Sequence, residues 1–277
     1  MSNRFWIVLI LFLVLAGSCS KDANDSTDQN KIDNSANYKT SGSSANDILS
    51  NNTFDKLRIQ IAYVKTDDQD YRPTTNAMTD FVAFLKEHSH KEDIELIYTE
   101  LPSPDEETLS LEEIDDLEKE NRTVYNDGKT LGIYIYFTDA PSEDDDEEED
   151  LVTLGAVYWN TSMVIYEETI RNLANKSFAV DIDDVETATL NHEFGHLMGL
   201  VNLGTEPVND HEGTTTDDDD NEIGDNHCTE EGCLMRAELQ FGPSMKKMLE
   251  KRTSKGLVSI PDLGTECLLD LQANGGR

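Results

Sequence analysis

The stretch His192-Glu193-Phe194-Gly195-His196, followed by Leu197-Met198-Gly199, constrains this chain more than any other. The histidines are four residues apart, so on a helix they share one face, one turn above the other. Two imidazole nitrogens so placed can reach one Zn2+ at about 2.0–2.1 Å each. Glu193, beside the first histidine, is placed to take a proton from a water on the metal. The plain alternative is a helix that carries two satisfied histidines. The flanking residues argue for the helix in either case. Asp183 and Asp184 can cap its start, where carboxylates accept from free N–H groups and oppose the helix dipole. Gly199 can end it by adopting a left-handed conformation at little cost. The helix is expected from about Val185 to Met198, with Ala188, Leu190, Phe194 and Leu197 as its apolar residues.

Charge narrows the partners. The chain of 277 residues has a formal net charge of −35. Nucleic acid is excluded, because phosphate binding needs Lys and Arg. The same balance argues against electrostatic docking on anionic lipid. The acid is densest in two runs, from Ser142 to Asp150 and from Asp217 to Glu222. Like charges at that density repel, so both read as solvated loops. Carboxylate clusters also suit Ca2+, although neither run has EF-hand spacing.

The N-terminus reads as a targeting segment. A short basic start, Met1-Ser2-Asn3-Arg4, precedes an unbroken apolar run from Phe5 to Leu15. That run is too short for a stable membrane span and has the length of a signal-peptide core. Ala16-Gly17-Ser18-Cys19 resembles a relaxed bacterial lipobox of the kind found in the Bacteroidota. The resemblance implies a signal peptide over 1–18 and a lipid on Cys19. An ordinary cleaved signal peptide with an incidental cysteine is the alternative. Ser20-Lys21-Asp22 is similar to the acidic export signal of surface-displayed lipoproteins. The lipoprotein resemblance implies a bacterial cell-envelope protein, lipid-anchored at the outer membrane and exposed to the periplasm or the surface. Residues 19–53 hold almost no large apolar side chains and are expected to be a disordered tether. Residues 54–277 suffice for one domain with a real core.

Periodicity gives the elements. Strands are expected at 57–64, 94–101, 131–137, 155–159 and 162–166, with Asn160-Thr161 as the turn joining the last two. The segment Leu131 to Phe137 is apolar throughout and reads as a central strand. Helices are expected at 75–88, where Ala77, Met78, Phe81, Val82, Phe84 and Leu85 recur at helical spacing, at 109–124, and over a short segment from 168 to 174. The order is β-α-β-α-β-β-β-α, with the two-histidine helix last.

This order and the motif resemble the catalytic domain of metzincin metalloproteases. The resemblance implies an α/β (α+β) fold with a twisted mixed sheet, an active-site helix and a methionine-containing turn beneath the metal. Asn202 stands where the clan places its third ligand, and a neutral amide is a poor zinc ligand. Further on, His227-Cys228-Thr229-Glu230-Glu231-Gly232-Cys233-Leu234-Met235 is similar to the archaemetzincin segment H-C-x4-C-x-M. That likeness makes His227 the third ligand and Met235 the Met-turn residue. Residues 203–226 are an insertion relative to the family. They hold a rival ligand, His211, flanked by Asp210 and Glu212. The family also has a further cysteine pair and a second, structural zinc. No C-x-x-C follows here. Outside the cytoplasm a disulfide is the expectation among Cys228, Cys233 and Cys267, with Cys228–Cys233 a candidate, one thiol left over, and the pair that forms not fixed by sequence.

The resemblance therefore implies a zinc-dependent endopeptidase of the cell envelope acting on peptide or protein substrates, with Glu193 as general base. An extended substrate would pair with the edge of 155–159 or 162–166. The alternative is a surface binding module on an inactive fold of the same kind.

Overall fold

The computed structural model describes residues 34–146, 151–217 and 220–277. The candidate signal peptide, Cys19, the first part of the expected tether, residues 147–150 and residues 218–219 lie outside the described residues. Residues 34–277 form one compact unit by themselves. Among the described residues, no helix is long and apolar enough to cross a membrane.

A five-stranded sheet organises the unit. Its strands are β1 (Lys56–Val64), β2 (Asp93–Leu101), β3 (Thr130–Thr138), β4 (Gly155–Trp159) and β5 (Ser162–Tyr166). They lie in the order β2-β1-β3-β5-β4. The β1–β2, β1–β3 and β3–β5 pairings are parallel, and β4 runs antiparallel to β5 at one edge. β3 is buried on both faces, which explains its lack of alternation. Its Ile133, Ile135 and Phe137 join the main core with α2 (Thr75–His88) and α5 (Ile182–Leu197). Tyr134 and Tyr136 face the opposite layer, where Ile114 of α3 (Leu111–Asn121) packs. The expected α/β fold with a mixed sheet is thus present.

Helix starts follow from local hydrogen bonds. Thr74 caps α2 by accepting from the Ala77 N–H. Ser110 and Glu113 form a reciprocal capping box on α3. On α5 the cap is Asp181, whose side chain accepts from the Asp184 N–H. The expected caps, Asp183 and Asp184, instead lie in the first turn, where their charges still oppose the dipole.

Three regions differ from the sequence expectation. Residues 34–53 do not continue the tether but fold onto the sheet. Asn37 is fully buried and donates to Asn126 Oδ1, Gly132 O and Thr161 Oγ1 at 2.9, 3.0 and 3.2 Å. Ile48 and Leu49, on the short helix α1 (Ala45–Leu49), are fully buried in the main core. Polar composition concealed this, because the segment is held by side-chain amides and a single apolar pair.

The inserted stretch forms a two-stranded ribbon, β6 (Glu212–Thr216) and β7 (Glu222–Cys228). Beyond Met235, two further helices follow, α6 (Gly242–Ser254) and α7 (Thr265–Ala273), so the two-histidine helix is not the last long one. The short helix before α5 is α4 (Glu167–Ala174).

Candidate metal centre

α5 is buried along nearly its whole length, and its C-terminal turns hold the motif inside the molecule. Phe194 anchors the helix from one side, with its ring 5.2 Å from that of Phe81. Gly195 is small for a reason. A Cβ there would stand 2.3 Å from Met235 Sδ, so Met235 lies directly against the helix backbone. Gly199 ends the helix with φ of +72°, the left-handed region that glycine enters freely.

Three imidazoles converge beyond this end. The ring centroids of His192 and His196 are 4.9 Å apart, and each lies 5.3 Å from that of His227. One nitrogen from each ring falls within 4.8 Å of the others, so the trio could hold a metal ion. His227 comes from the C-terminal end of strand β7, at the base of the ribbon.

Backbone carbonyls set the tautomers. A carbonyl only accepts, so the ring nitrogen facing it carries the proton. His192 Nδ1 donates to Leu234 O at 2.9 Å, and His227 Nδ1 donates to Asp225 O at 2.6 Å. Both Nε2 atoms therefore keep a free lone pair. His192 Nε2, His196 Nδ1 and Glu193 Oε1 are buried with no hydrogen-bond partner in the protein. Orphaned buried polar atoms are costly and call for a partner. A cation with nitrogen ligands fits this set.

Burial also sets the charge states. It pushes the His192 pKa down to about 3, with His227 adding to the effect, and holds His196 well below the usual imidazole value. Both rings are then neutral near pH 7, which is the form that ligates. Burial raises the Glu193 carboxyl to about 8, with no cation of the protein offsetting it. Such a carboxyl is suited to exchanging a proton near neutrality.

The edge strand completes the site. A Cβ on Gly155 would lie 2.7 Å from Glu193 Cγ, so β4 passes tightly over the carboxylate. Gln240, which sequence reasoning missed, donates from Nε2 to Gly155 O at 3.2 Å, and its Oε1 lies 3.4 Å from His227 Nε2. No periodicity or motif marks Gln240, Leu234 O or Asp225 O. Only the folded backbone brings them to the rings.

The rival ligand, His211, stands elsewhere. It is buried, with Nε2 2.8 Å from Asp270 Oδ2 and Nδ1 3.3 Å from Cys228 Sγ. His211, Cys228 and Cys267 form a second group whose ligand atoms lie within 4.8 Å of one another. Cys233 adjoins it, with Sγ 3.5 Å from Cys267 Sγ.

The expected Cys228–Cys233 disulfide is not formed, and all three thiols are free and buried. The backbone explains this. N–H groups of Met235 and Gly264 donate to Cys233 Sγ, and that of Glu230 donates to Cys228 Sγ. These bonds hold both sulfurs beside Cys267, whose thiol adjoins Cys233 and groups with His211 and Cys228. Asn202, the misfit position, has φ of +60° and donates to Glu212 Oε2 at 2.8 Å, a structural role in the ribbon's base.

No family model and no curated protein matches this chain. Solved structures similar to it include archaemetzincin from Methanopyrus kandleri, at 13% identity and a TM-score of 0.47, covering 79% of this chain and 96% of that one. A zinc-dependent peptidase from Methanocorpusculum labreanum is also similar, at 13% identity and a TM-score of 0.45, covering 77% of this chain and 99% of that one.

Proposed function

We propose that this chain is a zinc-dependent endopeptidase whose metal is held by His192, His196 and His227. The observation that carries the reading is the convergence of three imidazoles, with two buried, unpartnered nitrogens, beside an unpartnered Glu193 carboxylate. Zinc in such a site acidifies a bound water and polarises a carbonyl. Glu193 would take the water's proton on its free oxygen and pass it to the leaving amine. Leu234 O and Asp225 O hold two of the rings in the ligating tautomer, as outer partners of metal sites do. β4, at the sheet edge, would pair with an extended substrate. The acidic surface favours basic substrates by the same charge balance that excludes nucleic acid.

A second, closed centre fits His211, Cys228, Cys233 and Cys267. One nitrogen and three sulfurs make a structural zinc set, and Asp270 would orient His211 as a carboxylate behind a ligand. It would fix the base of the ribbon that carries His227. A lipid on Cys19, attached when a signal peptide over 1–18 is removed, would hold the enzyme at the bacterial envelope.

Glu193→Gln tests the enzyme reading against a binding module. The variant is expected to keep its zinc and lose peptide hydrolysis by roughly 10²–10⁴-fold, the usual contribution of a general base. Undiminished hydrolysis would remove Glu193 from the chemistry. A wild type that holds zinc and cleaves no peptide in a mixed-sequence library would favour the module.

A further inference from the structure

α6 departs from the charge of the rest of the chain. Over Gly242 to Lys255 the sequence has five cations, Lys246, Lys247, Lys251, Arg252 and Lys255, against the single carboxylate of Glu250. Lys247, Lys251 and Lys255 succeed one another at four-residue steps, so they form one stripe. All three are exposed. Lysines elsewhere, such as Lys56, Lys65 and Lys119, are tied to carboxylates, and Lys246 pairs with Glu250. Among the described residues, no ion pair involves a lysine of the stripe. The stripe borders a groove of about 710 Å3 that also takes in Arg236, Arg252 and Leu257, with the carboxylates of Glu231 and Glu238, the second paired with Arg236.

Apolar side chains flank the same helix. The three most exposed large apolar residues among those described are Phe178 at 111%, Val258 at 75% and Leu257 at 53%. They belong to two loops, and both loops are bonded to α6. Lys246 Nζ donates to Lys176 O at 2.8 Å, and Ser177 Oγ donates to Glu250 Oε1 at 2.7 Å, which fixes the loop of Phe178. Arg252 Nε donates to Val258 O at 3.0 Å, and the Leu257 N–H donates to Arg252 O at 3.1 Å, which fixes the other. Phe178, Leu257 and Val258 thus stand exposed on loops tied to the helix that carries the unpaired lysines. Their exposure costs hydration without any packing in return.

We infer that this face docks on an anionic lipid surface, with the lysine stripe at the headgroups and Phe178, Leu257 and Val258 entering the headgroup–acyl boundary. Charge selects the face. A body with net charge −35 is repelled by an anionic bilayer, and α6 presents the opposite sign. Apolar tips select lipid over an acidic peptide, because Phe178 and Val258 stand exposed on loops and do not line the groove, although Leu257 does. Lysine suits this role, since its stem lies along apolar material while its ammonium stays at the polar boundary. The overall charge alone argues against docking on anionic lipid. Its uneven distribution reverses that expectation for one face.

Vesicle co-sedimentation of residues 34–277 tests the inference, since this unit has the complete core and lacks the candidate anchor. The vesicles are phosphatidylcholine alone and a phosphatidylcholine–phosphatidylglycerol mixture, with oligo-glutamate as a competing probe. Wild type is expected to bind the mixed vesicles, to release as salt rises, and to ignore phosphatidylcholine alone. Lys247→Glu/Lys251→Glu/Lys255→Glu is expected to weaken binding about a hundredfold or more, from roughly 1 kcal/mol per cation at such a surface. Phe178→Ser/Val258→Ser should weaken it with the salt dependence retained. These side chains are exposed, so unchanged circular dichroism is the control for folding. No sedimentation with mixed vesicles, or equal binding by both variants and wild type, would overturn the inference. Tight oligo-glutamate binding without vesicle binding would overturn it in favour of an acidic protein partner.

Discussion

Single side chains decide how well the candidate centre is held. Gly195 touches Met235 so closely that Gly195→Ala must push the thioether or the helix aside. Overpacking of this kind costs about 1–3 kcal/mol. The variant is expected to show a lower denaturation midpoint and weaker zinc retention during dialysis against a chelator. A midpoint and zinc retention equal to wild type would show that Met235 gives way freely. Lys91 offers a test by pH. It is buried, and its ammonium donates to Ser50 O and Phe54 O. Burial lowers its pKa from 10.5 to about 8. Between those values the unfolded chain keeps the proton and the folded chain releases it, so this group makes stability rise with pH across that window. The wild-type minus Lys91→Met difference in unfolding free energy should therefore climb between pH 8 and 10.5 and lie flat below pH 7. A flat difference throughout would show that the two carbonyls keep the ammonium charged. At this scale the sequence was informative only where spacing itself is the signal. His192, Glu193 and His196 are legible because a helix converts a separation of four into one face. His227 is legible only through its resemblance to a family segment. Gln240 and the carbonyls of Leu234 and Asp225 depend on distant backbone and leave no local trace.

Elements differ in how they declare themselves. β1, β3, α2 and the β4–β5 pair follow from apolar periodicity, because each buries a face or both faces against the main core. The ribbon β6–β7 buries little, and its residues 214–216 and 222–224 are exposed. It is held by polar contacts instead. Glu212 accepts from Asn202, from the Asn226 N–H and from Asn226 Nδ2. α6 was also hidden, because it buries only Gly242, Met245 and Leu249 among charged residues. The ribbon's base is where the second centre would act. Cys267→Ser should remove one metal, lower the thermal midpoint by several degrees and weaken the catalytic-type site through His227, which adjoins Cys228. Unchanged metal content would return the thiol cluster to ordinary packing. α3 gives a simpler check. Ser110→Ala removes the side-chain half of the capping box, the Oγ that accepts from the Glu113 N–H, and is expected to cost about 1 kcal/mol in chemical denaturation. A loss within error of zero would leave the cap without energetic weight.

For the whole molecule, the boundary of the folded unit is the main correction. Chain composition places the start of the domain near residue 54, but buried Asn37, Ile48 and Leu49 bring residues from 34 onward into it. Residues 54–277 would lack two core side chains, each worth roughly 2–5 kcal/mol when removed. They would also leave Thr161 Oγ1 and Gly132 O without Asn37. That fragment is expected to be several kcal/mol less stable than residues 34–277, or insoluble, and equal denaturation midpoints would refute the packing of the N-terminal segment. The central claim, a three-histidine metal centre beside Glu193, is tested most directly by zinc content per chain. The samples are residues 34–277 as wild type, His227→Ala and His211→Ala. The expected result is two zinc ions in the wild type, with one lost in each variant and peptide hydrolysis abolished in His227→Ala. Full zinc content in His227→Ala, or none in the wild type, would contradict the account.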